Sequence, residues 1–278
     1  IFAAKDRPAF NPLISHVASA AAAFKLGVET PIAAVLASAF WPGPLTLVLD
    51  RQPGCPVARL TTAGLDKIAV RVPAHVGAQS LLTHFGKPVA APSANPSGRI
   101  SPSTADHVMR GLAGKIDLVL DGGSCESGLE STVVDASTDQ AVILRPGGIT
   151  RNAVADALKA AGFVAPMADP TAVIQPAQPV APGQLASHYA PHAAVRLNAT
   201  KANADEELIG FGSIAGSGTL ALSLSASGDL IEAAANLFAM LHRADDTGTA
   251  KIAIAPVPDK GLGEAINDRL RRAAAPRW

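Results

Sequence analysis

The sequence predicts an α/β protein built around two cores. Three observations carry this. Short apolar runs of strand length alternate along the chain with Ala-rich, amphipathic stretches of helix length. Apolar residues make up 48% but aromatics only 4%, so the interior is packed with small aliphatic side chains. At 278 residues the chain is long enough for two cores, and the prolines of Pro166 to Pro182 break it between them. No internal repeat is found.

Lys5 to Pro12 reads as a loop following a helix end, and Leu13 to Val17 as a strand carrying His16. Residues 18–26 read as helical. A second helix spans Thr30 to Phe40, with Ile32, Val35, Leu36 and Phe40 on one face and Pro31 suited to its first turn. Trp41 to Pro44 is a turn, and Leu45 to Asp50 and Ile68 to Val72 are strands. Ala74 to Phe85 is a helix ended by Gly86 and Pro88. Pro88 to Ala91 is a short buried strand. Ser103 to Leu112 is a helix with Ser101 or Ser103 as its cap. Leu118 to Leu120, Ser131 to Asp135 and Ala141 to Leu144 are strands, and Asn152 to Ala161 is a helix followed by Gly162.

Five prolines and no periodicity mark Pro166 to Pro182 as a linker with polyproline stretches. Beyond it the alternation resumes. Ala194–Leu197, Leu208–Phe211, Thr219–Ser223 and Ile252–Pro256 read as strands, and Leu230–Arg243 and Leu262–Ala274 as helices. That order predicts a parallel, three-layer sheet.

The formal net charge is zero, so nothing drives the whole surface toward nucleic acid or an anionic membrane. The two cysteines, Cys55 and Cys125, have no framework spacing and fit a reducing compartment, hence the cytoplasm. No apolar run approaches the roughly 20 residues that cross a bilayer. The start, Ile1 to Lys5, lacks the regions of a signal peptide. There is no G-x-x-x-x-G-K-[ST] motif and no G-x-G-x-x-G at a strand–helix junction. His188 and His192 sit four apart, but Pro191 between them argues against a shared helix face, and no metal site is expected.

Two stretches point to chemistry. Pro92-Ser93-Ala94-Asn95-Pro96-Ser97-Gly98-Arg99 follows a buried strand and offers small polar side chains and free amides, which suits an anionic or nucleotide ligand at a strand's carboxyl end. Lys5-Asp6-Arg7-Pro8-Ala9-Phe10-Asn11-Pro12 holds two cations on a proline-stiffened loop. Arg71 lies within the apolar strand Ile68 to Val72 and needs a partner, because an unpaired buried charge is costly.

The K-x-R pair followed by S-x-N, together with Asn11-Pro12-Leu13-Ile14, Trp41-Pro42-Gly43-Pro44-Leu45-Thr46, Ala69-Val70-Arg71-Val72-Pro73, Glu130-Ser131-Thr132-Val133-Val134-Asp135, Leu144-Arg145-Pro146-Gly147 and His188-Tyr189-Ala190-Pro191, resembles the threonylcarbamoyl-AMP synthase family (YrdC-type proteins) in its longer, two-domain form. The resemblance implies a YrdC-type twisted open sheet with a large cavity, over residues 1–165. A Pro-rich linker or lid would follow at 166–192, and a smaller Rossmann-like domain at 193–278. It also implies a strand and a Thr- and Tyr-containing loop ahead of Ile1. The absence of that segment from this sequence is the largest departure from the family pattern.

By resemblance the activity is that of an L-threonylcarbamoyladenylate synthase. L-threonine and bicarbonate give N-carboxy-threonine, whose carboxylate attacks the α-phosphorus of ATP and expels pyrophosphate. Mg2+ is expected to accompany the ATP, and tRNA and downstream tRNA-modification proteins are the implied partners, with no membrane. Such chemistry needs cations and aimed amides where phosphoryl charge builds. Matching the family position by position makes Lys5 and Arg7 catalytic. Arg7, Asn11, Ser93, Asn95, Ser101, Arg145 and Tyr189 fall to ATP. His16, Arg71, the backbone of Ala91 and Ser131 fall to L-threonine. Lys67 departs from the family's small hydroxyl residue. Tyr189 would meet the nucleotide from the lid. The competing reading is an RNA-binding module of tRNA modification or translation, against which neutral charge and few aromatics count. A relative that uses carbamoyl phosphate is a third reading, disfavoured by the type of C-terminal domain.

Overall fold

The computed structural model describes residues 1–163 and 187–276. In chain order the elements are α1 (Phe2–Lys5), β1 (Ile14–His16), α2 (Ala20–Phe24), α3 (Pro31–Phe40), β2 (Leu45–Asp50), β3 (Lys67–Arg71), α4 (Val76–Phe85) and β4 (Val89–Ala90). There follow α5 (Ala105–Leu112), β5 (Thr132–Asp135), β6 (Val142–Arg145), α6 (Arg151–Ala160), β7 (Ala194–Arg196), β8 (Glu206–Ile209), α7 (Leu230–Asp245), β9 (Lys251–Ile254) and α8 (Leu262–Ala274). The chain forms two compact units. One takes Ile1–Arg7, Ser93–Leu129 and the described residues from 187 onward; the other takes Pro8–Pro92 and residues 130–163.

The second of these units is organised by a six-stranded mixed sheet in the order β4-β1-β3-β2-β5-β6. Its strands bury both faces, which follows from alternation with a period of two. Leu45, Leu47 and Leu49 of β2, with Val70, Val134 and Ile143, pack under Ile32 and Leu36 of α3 and Val154 and Leu158 of α6. Each such aliphatic side chain contributes about 2 kcal/mol of burial. The alternate residues Ile14, Ala69, Val48 and Val133 form a smaller cluster on the other face. Helix α3 starts where expected: Thr30 Oγ1 accepts from Ala33 N–H at 3.1 Å, and Pro31 takes the first helical position. Helix α4 stops at Gly86, whose φ of 67° suits a residue without a Cβ.

The other unit carries a three-stranded sheet, β7-β9-β8, parallel throughout as expected. Leu237, Phe238 and Leu241 of α7 and Ile266 and Leu270 of α8 close over Ile252 and Ile254. Ile100, Leu129 and Tyr189 belong to the same cluster. Gly128 permits this approach: at φ 62°, a Cβ there would lie 2.0 Å from the Ala234 carbonyl oxygen.

Three local expectations are corrected. Residues 118–120 form no strand, and Leu118 and Leu120 are 74% and 71% exposed, so their alternation has no core to serve. Thr219–Ser223 is not a strand of the sheet; isolated bridges, Leu208 to Ser217 and Gly210 to Ser223, and the Glu207 carboxylate, which accepts from Thr219 N–H at 2.6 Å, tie this region to β8 and the residue after it. The cap of α5 is Thr104, which accepts from His107 N–H at 3.3 Å, rather than Ser101 or Ser103. The linker reading of 166–182 lies outside the described residues, as do residues 183–186.

Candidate functional site

Strand pairing assembles one polar row in the six-stranded unit. His16 ends β1 and pairs with Arg71, which ends β3; Arg71 pairs across to Thr46 of β2. Thr46 pairs with Val133 of β5, and Val133 with Arg145, which ends β6. His16, Arg71 and Thr46 each lie two residues from Ile14, Ala69 and Val48, so all three share the face of that small apolar cluster. Ser131, two residues before Val133, joins them through hydrogen bonds.

Neutral oxygens are among the partners of both cations here. Arg71 Nε donates to the Gly43 carbonyl at 3.1 Å. Arg145 Nη2 donates to the Ser131 carbonyl at 2.8 Å and to Ser131 Oγ at 3.1 Å, and Nε donates to the same carbonyl at 3.2 Å. Ser131 Oγ in turn lies 2.7 Å from Thr46 Oγ1. No carboxylate comes within ion-pair distance of Arg71 among the described residues. Burial, with the Arg145 charge behind it, pushes the Arg71 guanidinium down to about 10. Burial and then the Arg71 charge push the His16 imidazole down to about 4, and its buried Nδ1 meets no hydrogen-bond partner among the described residues. His16 is therefore neutral at neutral pH.

Ala91 N–H is committed to the Ile14 carbonyl at 3.1 Å, which leaves its carbonyl as the group it can present. Asn11 is fully buried just ahead of β1. Lys67 is tied to Asp135 at 2.6 Å, so its charge is already neutralised.

The loop after residue 92 belongs to the other unit, and there Lys5 organises it. Lys5 Nζ donates to the Ser93 carbonyl at 2.6 Å and also to the Asn95 carbonyl. The Lys5 carbonyl accepts from Ser97 N–H at 2.8 Å. Asn95 Nδ2 braces the turn by donating to the carbonyls of Pro96 at 2.9 Å and Arg99 at 2.8 Å. Burial, then the neighbouring Arg7 charge, brings the Lys5 ammonium down to about 8. Arg7 is buried as well. The loop carbonyl at Gly98 accepts from Ala190 N–H at 2.9 Å. Next to it, Tyr189 packs its ring 5.4 Å from that of Phe238 and beneath the guanidinium of Arg269. Ser101 is buried, and His242 Nε2 of α7 reaches its carbonyl at 3.2 Å.

Pairing thus brings His16, Arg71, Ser131 and Arg145 together, and a separate network joins Lys5, Ser93 and Asn95. Thr46 and His242 are the participants the sequence reading passed over. Thr46 carried a usable signal: one hydroxyl inside the apolar run Leu45 to Leu49, fully buried here. His242 carried none, because its partner is 141 residues away.

The comparisons with known proteins agree along the chain. Residues 1–147 match the family model described as "Telomere recombination", which spans the Sua5, YciO and YrdC proteins. Residues 149–275 match the model described as "Threonylcarbamoyl-AMP synthase, C-terminal domain". Threonylcarbamoyl-AMP synthase of Pyrococcus abyssi is 40% identical over 295 residues, covering 99% of this chain and 83% of the relative. The enzyme of that name from Bacillus subtilis is 36% identical over 293 residues, covering 100% and 83%. The crystal structure of P. abyssi Sua5 complexed with L-threonine superposes with a TM-score of 0.85 at 38% identity, covering 98% of this chain and 83% of that one.

Proposed function

The chain belongs to the threonylcarbamoyl-AMP synthase family, and from that membership we propose that it makes threonylcarbamoyl-AMP and pyrophosphate from L-threonine, bicarbonate and ATP. The observation that supports this most is Arg71, a half-buried guanidinium at the end of an apolar strand whose one hydrogen bond among the described residues goes to a neutral carbonyl. A substrate carboxylate supplies the anion it lacks, in bidentate form.

In this reading His16, Arg71, the Ala91 carbonyl and Ser131 receive threonine. Neutral His16 adds no third positive charge beside Arg71 and Arg145. The threonine amine adds to the carbon of bicarbonate with loss of water. A carboxylate oxygen of the resulting N-carboxy-threonine attacks the α-phosphorus. The bond to the bridging oxygen breaks, and pyrophosphate leaves with that electron pair. Lys5 and Arg7 stabilise the charge that builds on the phosphates, with Asn11, Ser93, Asn95, Ser101, Arg145 and Tyr189 on the nucleotide side. Tyr189 acts from a segment that its buried ring anchors.

Mg2+ enters as the companion of the ATP phosphates. Among the described residues no group of three or more His, Cys, Asp or Glu is placed to hold a metal ion. The proposal extends to tRNA modification proteins as consumers of the product and to a cytoplasmic location. No described helix is long and apolar enough to cross a membrane. It also keeps a catalytic region at 1–165 and a supporting region at 193–278 as the functional division of the chain, while the compact units group Ile1–Arg7 and Ser93–Leu129 with the C-terminal residues.

The test is pyrophosphate release from ATP with threonine and bicarbonate omitted in turn. Release that needs both is expected. Release that ignores threonine overturns the assignment.

A further inference from the structure

The loop that carries Ser93 to Ser101 is held at its far end by two histidines that the proposed chemistry does not use. His242 Nε2 lies 3.2 Å from the Ser101 carbonyl and must carry the proton, since a carbonyl only accepts. Its ring stacks on that of His107 from α5, with centroids 3.9 Å apart and planes at 30°. His107 Nδ1 lies 3.3 Å from Ser103 N–H and 3.2 Å from Ser103 Oγ. An amide N–H donates, so Nδ1 must be bare and His107 neutral, with its proton on Nε2. Two neutral rings stack; two imidazolium ions at that spacing repel.

We propose that His242 is a positioning residue for the nucleotide-side loop: through its bond to Ser101 and its stack on His107, it and His107 form a clamp that fixes residues 101–103. The one respect in which this rests on the proposed function is the assignment of that loop to ATP.

The surroundings fit a clamp made of neutral imidazoles. The pair borders a cavity of about 350 Å3, where Arg110 of α5 is joined to Asp246 at 2.6 Å. Arg99 lines the same cavity, as do His192 and Asp245, which are paired at 2.8 Å. Asp106 of α5 also acts on His107. The cations and carboxylates largely offset one another, and burial decides: it lowers both imidazoles, His242 to about 4 with His107 as the next cause. The lowered groups work when neutral. The clamp is intact above the ordinary imidazole value of 6.5 and is lost as pH falls toward 4.

The experiment compares wild type with His242→Phe, which keeps the stack and loses the donor, and with His242→Gln, which restores a donor. Amide exchange across residues 97–104 is measured by mass spectrometry, beside pyrophosphate-release kinetics. His242→Phe is expected to speed exchange about fivefold or more and to raise the KM for ATP about fivefold, the worth of one buried hydrogen bond. The KM for threonine stays within about twofold of wild type by the same measure. His242→Gln recovers most of the loss. Protection of wild type at 97–104, measured relative to the intrinsic exchange rate at each pH, should also fall between pH 6.5 and pH 5, and that fall should be blunted in His242→Phe. Unchanged exchange in His242→Phe overturns the clamp. Faster exchange with an unmoved KM for ATP overturns the positioning role. If wild type releases no pyrophosphate but exchange responds as described, the clamp stands and the synthase reading falls. Should His242→Phe not fold, His107→Phe, which removes the acceptor of the Ser103 amide, takes its place, and unchanged protection at 97–104 in that variant overturns the clamp.

Discussion

The two sheets of this molecule treat their cations differently. In the three-stranded parallel sheet, cations are matched to acids: Arg196 Nη2 lies 2.5 Å from Glu206, and Lys251 3.0 Å from Asp205. At the polar row of the six-stranded sheet, Arg71 is bonded to the Gly43 carbonyl, and Arg145 to the carbonyl and hydroxyl of Ser131. Lys5, at the base of the 93–101 loop, likewise sits on two carbonyls. A carbonyl orients a cation without cancelling its charge. At Arg71 and Lys5 the charge is thus kept for an anion that arrives later, in contrast to the ion-paired Arg196 and Lys251. Lys67, tied to Asp135, falls with the ion-paired cations.

The largest effect should come from Arg71→Gln. The KM for threonine is expected to rise about 30- to 100-fold, on the order of 2–3 kcal/mol for a charge-assisted carboxylate contact. The midpoint of urea unfolding should hold or rise, because an uncompensated buried charge has been removed. A variant that unfolds would make Arg71 structural and erase the contrast.

Lys5 comes next, and its test is a pH profile. Its folded-state value is about 8 against an ordinary 10.5. Between those values the unfolded chain keeps a proton that the folded chain has released, so this group makes stability rise with pH across that window. The charge offered to phosphate fades over the same range. Measured together, kcat/KM for ATP should decline above about pH 8 while the unfolding midpoint rises from this contribution, and Lys5→Met should flatten both trends. A kcat/KM that holds level to pH 10 contradicts a working charge at Lys5.

Glu206→Gln is expected to have the smallest effect on activity. Glu206 is held down to about 2, first by its hydrogen bond from Arg196 and then by the Asn203 amide. A lowered carboxyl contributes stability that is present above 4.5 and lost as pH falls toward 2. Thermal unfolding of Glu206→Gln should occur at lower temperature than wild type at pH 7 and converge with it in acid. Both KM values should stay put; a shift in either would show that ion-paired charges also serve the site.

Much of the fold was legible because local signals agree with it. Thr30 and Pro31 start α3, and Gly86 ends α4, as the residue types dictate. Apolar runs marked β2, broken by Thr46 alone up to Leu49, and the parallel strand β9. The failures share a cause: a pattern was read where tertiary structure supplies no partner. Leu118 and Leu120 alternate but meet no sheet. Ser103 resembles a cap, yet its amide and hydroxyl are occupied by His107, so Thr104 caps α5.

The site residues were found through family resemblance, and their arrangement could not be read in advance. His16 and Arg71 stand side by side only because β1 and β3 pair in parallel across a long crossover. Arg145 reaches Ser131 through an antiparallel pair with a register shift at Val133 and Val134. No local sequence pattern encodes either pairing. The carbonyl partner of Arg71 was equally hidden, since the strand context specified a need for a partner but not its charge.

The most direct test of the central claim is calorimetric binding of L-threonine and of L-threoninol, which replaces the carboxylate with an alcohol, to wild type and to Arg71→Gln. If Arg71 keeps its charge for the substrate carboxylate, wild type binds threonine far more tightly than threoninol, and Arg71→Gln narrows that difference to little or nothing. Equal preference for threonine in the two proteins would contradict the account.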